Sequence, residues 1–285
     1  MIDLDLFLKR QKRAQLAGVE GADFLLKHIA DEMDERLSLI ERNFNKPLQL
    51  YGYNRSLADQ IISRGQTEIF KFFEPQNLAL DAIQTEALEL EDSVHDLILS
   101  PASLHLTNDT PGIFAQIFKA LKEDGLFMAS VLGAGTLHEL RESLLIAESE
   151  LYGGASARVI PFADIRDYGG LLQRAGFALP VIDSDTLTVR YDHAMALMRD
   201  LRAMGMTNPL IDRNKRPLSR SFFEKVNEIY GEKFSDPDGR IRASFTIIYL
   251  KGWKPHKSQQ KPLKPGSAKT RLADALKVDE MKLKS

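Results

Sequence analysis

The stretch ADFLLKHIADEMDERLSLIERNF sets Phe24, Leu25, Ile29, Met33, Leu37 and Ile40 at helical spacing with charges between them, which predicts an amphipathic helix packed on the body and ended by Pro47. LQLYGY reads as a buried strand and SLADQIISRG as a helix that closes on Gly65. TEIFKFFEP is the next strand, DAIQTEALELED fits helix or strand, and VHDLILS is strand-like before the loop PASLHLTNDTPG. Asp109 or Thr110 with Pro111 predicts a helix start, since a small polar cap accepts a free amide and proline fits the first turn. The helix GIFAQIFKALKEDG then runs into LFMASVL, the most apolar run of the chain. TLHELRESLLIAESELYGG and FADIRDYGGLLQRAG are two more helices, the second stopped by glycine before FALPVID.

This alternation predicts an α/β protein with a doubly wound, mostly parallel sheet. It breaks after TLTVRY, where DHAMALMRDLRAMG and SRSFFEKVNEIYGEKF are two helices with no strand between them, an insertion or cap over residues 192–238. GRIRASFTIIYLKGW returns as a long strand rich in β-branched and aromatic residues. The expected organisation is a helical segment over 1–46, an α/β domain over 47–253 and a polar, proline-bearing tail over 254–285.

Composition narrows the chemistry. The 285 residues suffice for one large α/β domain with appendages, and 44% apolar with 27% charged residues is ordinary for a globular protein. The absence of cysteine excludes disulfides, thiolate zinc sites and cysteine nucleophiles. MIDLDLFLKRQKRAQLAG lacks a continuous apolar core, and no uncharged apolar run approaches the roughly 20 residues of a spanning helix, so a cytoplasmic protein without a membrane span is expected. The net charge of −2 hides a basic tail on an acidic body: from Lys254 onward nine Lys and Arg face three acids. The tail is expected to contact acidic surfaces; no nucleic-acid partner is expected.

The runs LHLTNDTPGIFAQIFKALKEDGLFMASVLGAGTLHELRESL and GLLQRAGFALPVID resemble class I methyltransferase-like proteins related to the mitochondrial complex I assembly factor that hydroxylates an arginine. The biotin-pathway carboxyl methyltransferases are similar more distantly, and the resemblance extends from about Phe24 to Trp253. It implies a seven-stranded sheet with an antiparallel last strand, IRASFTIIYL, and S-adenosylmethionine at the strands' carboxyl ends.

In such proteins an acid ends the first strand and glycines follow, letting backbone approach the ligand. In one register Gln49 takes the acid's place and Tyr51, Tyr53 and Arg55 those of the glycines. Shifted by one residue, Gly52, Asn54 and Ser56 fall there and Leu50 replaces the acid. Glu74 in KFFEP fits the acid that binds the ribose hydroxyls, although an acid before Pro75 at a strand end is also explained by solvation. The adenine-side position falls on Gln84 in IQTEALEL, with Glu86 two residues later. Ser100 ends the strand ahead of the loop that would face the substrate, where His105, Asn108 and Asp109 are the candidate catalytic residues. Histidine titrates near working pH and could act as a base, whereas capping of the next helix alone explains Asn108 and Asp109.

HELRE lacks the second histidine of a zinc protease, and GAGTLHEL lacks the lysine and length of a phosphate-binding loop, so these read as a charged helix face and a turn. Three functions stay open: an S-adenosylmethionine-dependent methyltransferase with an altered cofactor motif, an arginine hydroxylase acting on a respiratory complex I subunit or other protein substrate, and a non-catalytic assembly protein.

Overall fold

The computed structural model describes residues 1–19, 21, 23–51, 55–73 and 86–260, with isolated positions 267, 270 and 274. Its central parallel strands, β1 (Pro47–Leu50) and β3 (His95–Ser100), are buried at every position, as expected of strands covered on both faces. They join β2 (Lys71–Phe73), β4 (Leu121–Leu132), β5 (Ala178–Tyr191) and β6 (Ile241–Trp253) in one sheet of order β2-β1-β3-β4-β6-β5. The first four run parallel, and β6 is antiparallel to both β4 and β5. Six strands therefore stand among the described residues where seven were expected. The ambiguous segment explains the difference: residues 86–91 form no strand, and 74–85 lie outside the described residues.

Side chains along β4 alternate between the two sheet faces. Leu126, Met128 and Leu132 join a core with Leu25, Ile29 and Met33 of α2 (Phe24–Ser38), whereas Phe127, Ala129 and Val131 join Ile113, Phe114 and Ile117 of α4 (Thr110–Ala120). Helix α2 ends at Ser38, well before Pro47. The intervening backbone is claimed by the buried Asp96, whose carboxylate accepts the amides of Asn45 (2.8 Å) and Lys46 (2.9 Å) and pairs with Lys122 at 3.2 Å. These hydrogen bonds and the Lys122 charge outweigh desolvation and hold the Asp96 pKa below its usual value. Helix α4 stops at Ala120, earlier than the expected run to Gly125, because the amides of Ser93 and Val94 take the carbonyls of Lys119 and Ala120 and draw the chain into β4.

The N-terminus of α4 behaves as its sequence suggests. Asp109 Oδ1 accepts the Gly112 amide at 2.9 Å, Pro111 occupies the first turn, and a Cβ at Gly112 would lie 2.0 Å from the Asp109 carboxylate. Replacing Asp109 by alanine should therefore cost about 1 kcal/mol, and Asp109→Asn much less. Chemical denaturation of both variants checks this, and equal losses would remove capping as the cause.

The insertion carries α7 (Ala194–Ala203) and α8 (Arg220–Phe234) between β5 and β6. An N-terminal helix, α1 (Leu4–Ala17), docks on the segment between them: Asp3 donates to the Pro209 carbonyl at 2.8 Å, Ile2 bridges Leu210, and Arg10 donates to Asn208 at 2.8 Å. Most of 254–285, and with it the expected arm, lies outside the described residues. Among the described residues, no helix is long and apolar enough to cross a membrane.

Candidate functional site

At the carboxyl end of β1, Tyr51 has a left-handed backbone (φ 54°), a conformation that favours glycine, and its amide donates to Phe73 at 2.9 Å. Its ring meets Phe73 edge-on at 6.0 Å and packs on the core beneath α4. Burial and then the Glu86 carboxylate push the Tyr51 phenol well above its ordinary pKa, keeping it neutral. Gln49 is fully buried in β1. Gly52, Asn54, Glu74 and Gln84 lie outside the described residues.

Glu86 is nearly buried, and its carboxylate holds the loop before α4. It accepts the Asn108 amide on both oxygens (2.9 and 3.0 Å) and the Asp109 amide at 2.5 Å. The Asn108 side chain in turn pins the N-terminus, accepting the Ile2 amide at 2.7 Å and donating to the Ile2 carbonyl at 3.1 Å. Ser100 is fully buried, with its hydroxyl 2.6 Å from that of Ser103. The structure thus gathers Glu86, Asn108 and Asp109 into one backbone-holding cluster, while Tyr51 packs nearby. The Gly-Ala-Gly segment is a turn tied to β6, since Gly133 donates to the Thr246 carbonyl at 2.8 Å and Thr136 exchanges hydrogen bonds with Thr246.

His105 lies one step away on a 3-10 turn, Leu104–Leu106, and lines a cavity of about 560 Å³ roofed by α1 and the insertion. That volume falls within the roughly 300–1,000 Å³ of small-molecule sites. Its imidazole sits 5.9 Å from the Phe162 ring, and Nδ1 has no hydrogen-bond partner among the described residues. Desolvation lowers the His105 pKa to about 3, so the ring is neutral at physiological pH and can accept a proton or a hydrogen bond. Between about pH 6.5 and 3 the unfolded chain binds a proton there that the folded chain does not, so stability falls as pH falls through that window. The open cavity moderates the penalty, and on the order of 2 kcal/mol of stability should be lost at this residue by pH 4. Urea midpoints from pH 7 to 4 should fall less steeply in His105→Gln; parallel curves would show that the ring is solvated.

The same cavity presents residues that the sequence reading missed: Arg10, Arg158, Arg202, Arg213 and Lys215. They come from α1, from the segment after the helix His138–Tyr152 and from the insertion, and the signal available was the basic run through the insertion. Among the described residues, no three of histidine, aspartate and glutamate gather into a metal-binding group.

No protein-family model matches the chain. Over 292 residues it is 33% identical to the Danio rerio protein named arginine-hydroxylase NDUFAF5, mitochondrial, covering 97% of this chain and 90% of that relative. It is 41% identical over 201 residues to the Dictyostelium discoideum protein of the same name, covering 70% of this chain and 46% of that longer relative. A malonyl-[acyl-carrier protein] O-methyltransferase of Laribacter hongkongensis is 31% identical over 188 residues, covering 66% of this chain and 61% of the relative. Among solved structures, the YcgJ protein of Bacillus subtilis superposes with a TM-score of 0.52 at 13% identity, covering 81% of this chain and 99% of that one. The cytoplasmic expectation is corrected by these findings, because both arginine-hydroxylase relatives are named as mitochondrial.

The described residues fit S-adenosylmethionine poorly. In the register that aligns Gln49, an aromatic side chain stands at a glycine position and an amide replaces the acid, and the Glu86 carboxylate is committed to backbone.

Proposed function

This chain belongs to the NDUFAF5 family and carries the Rossmann-like fold of class I methyltransferases, and from that we propose that it acts in the assembly of respiratory complex I on a protein subunit. The observation that carries this reading is the alignment with the Danio rerio relative, which runs through 97% of the chain and so takes in the sheet and the 104–112 loop together. S-adenosylmethionine is the cofactor class proposed with the fold, held weakly because Tyr51 brings a bulky side chain to a left-handed position that favours glycine. Arginine hydroxylation, the activity in those relatives' names, is the modification proposed, and a mitochondrial location comes with it.

The test is to express the full chain, led into mitochondria, in cells lacking their own NDUFAF5. Native gels should show fully assembled complex I restored, and mass spectrometry should show one oxygen added to a subunit arginine. Restored assembly without the added oxygen would leave the assembly role and remove hydroxylation. No restoration by an imported, folded chain would overturn the proposal.

A further inference from the structure

The cavity beside His105 has two kinds of wall. Its interior is apolar, with Leu106, Leu132, Leu140, Leu144 and Phe162 among its lining. Around it stand the cations Arg10, Arg158, Arg202, Arg213 and Lys215, and among the described residues no acid is part of the lining. Two acids lie behind the cations. Glu148 pairs with Arg158 at 2.6 Å and is further held by Ser156, so this pair is neutral. Asp3 lies 3.6 Å from Arg213 and also faces Arg10, so one carboxylate serves two guanidiniums. Arg202 and Lys215 are exposed and make no ion pair among the described residues.

Burial lowers the Arg10 pKa, the like charge of Arg213 lowers it further, and Asp3 offsets these only in part. Arg10 spends donors on the carbonyls of Thr207 and Asn208, which are dipoles and cancel no charge. A cation-rimmed apolar cavity repels ammonium and guanidinium groups and lowers the free energy of an anion whose remainder is hydrocarbon.

The geometry points to a binding site for an anionic amphiphile: a hydrocarbon chain against Leu132, Leu140, Leu144 and Phe162, with a carboxylate or phosphate head at Arg10 and Arg213. This goes beyond the assembly role and does not rest on it, and because the same cations repel a guanidinium, the cavity is not where the proposed arginine is held. The ligand enters between α1 and the insertion, which are joined by hydrogen bonds from Asp3 to Pro209, Arg10 to Asn208 and Gln11 to Gly205 at 3.3 Å, by the Ile2 bridge to Leu210 and by the apolar contacts of Phe7. Carboxylate and phosphate heads share the same chemistry here, and the choice between them is left to the probes.

Calorimetric titration of the full chain uses laurate, dodecyl phosphate, dodecanol and dodecylammonium, each below its micelle concentration. Laurate or dodecyl phosphate should bind, the tighter of the two identifying the head group, with dodecanol roughly tenfold or more weaker and dodecylammonium showing no saturable binding. Affinity for the anions should fall with added salt. Arg10→Gln with Arg213→Gln should weaken anion binding by about tenfold or more. Because Arg213 helps hold Asp3, a second variant, Arg202→Gln with Lys215→Gln, tests the rim at exposed positions without ion pairs, and it should weaken the anions and leave dodecanol unchanged. Leu140→Trp, which fills the interior, should abolish binding of all chains. Equal affinity for dodecanol and laurate, unchanged anion affinity in both folded charge variants, or no binding by either anion would overturn the assignment.

Discussion

Replacing Glu86 by alanine should lower folding stability by about 3–5 kcal/mol, because its carboxylate is the acceptor for two backbone amides in a nearly buried place. Charge-assisted bonds of this kind contribute roughly 1.5–3 kcal/mol each, and alanine leaves the Asn108 and Asp109 amides without their acceptor. At roughly 2–4 °C per kcal/mol for a chain of this size, the melting temperature should drop by about 6–20 °C. Glu86→Gln keeps an oxygen acceptor and should lose less than half as much. The effect should spread to the His105 loop and, through Asn108, to the docking of the N-terminus, so hydrogen exchange at Leu104–Thr110 and Ile2–Phe7 should rise together. A near-neutral Glu86→Ala variant with reduced S-adenosylmethionine affinity would reassign this carboxylate from the loop to the ligand.

The second large effect concerns the turn after β1. Gln49→Asp with Tyr51→Gly and Tyr53→Gly should tighten S-adenosylmethionine binding by about tenfold to a hundredfold, since it restores one charge-assisted contact and clears the aromatic ring from the backbone. The same variant should be less stable without ligand. Losing a packed tyrosine ring costs more than the roughly 1–2 kcal/mol of left-handed strain that glycine relieves, and Gln49→Asp places a carboxylate where the native amide is fully buried. The ligand-induced rise in melting temperature should therefore be larger in the variant than in the natural chain. A folded variant with no gain in affinity would show that residues other than this turn limit binding.

The parts of the fold visible in the sequence are those whose period survives packing. Helix α2 buries Leu25, Ile29, Met33 and Leu37 as its spacing predicts, and β3 and β4 follow the apolar runs. Where the chain departs from expectation, a distant partner intervenes: the Asp96 carboxylate takes the amides after α2, and the 93–94 amides end α4. Asp109 was legible as a cap because Asp-Thr-Pro-Gly is a local signal. Glu86 was placed near the adenine, and no local pattern could reveal its hold on residues 22 and 23 positions later. The cavity's cations were illegible for the same reason, since α1, the segment after the helix His138–Tyr152 and the insertion bring them together only in the folded chain.

The central claim is that this chain keeps the methyltransferase fold of its family around a weakened cofactor turn, with Tyr51 at a left-handed position that favours glycine. The measurement that tests it most directly is calorimetric titration of S-adenosylmethionine, and separately of its demethylated product, into the full natural chain. Weak binding, far above micromolar dissociation constants, or no saturable heat from either ligand is the predicted result; micromolar binding of either would contradict it.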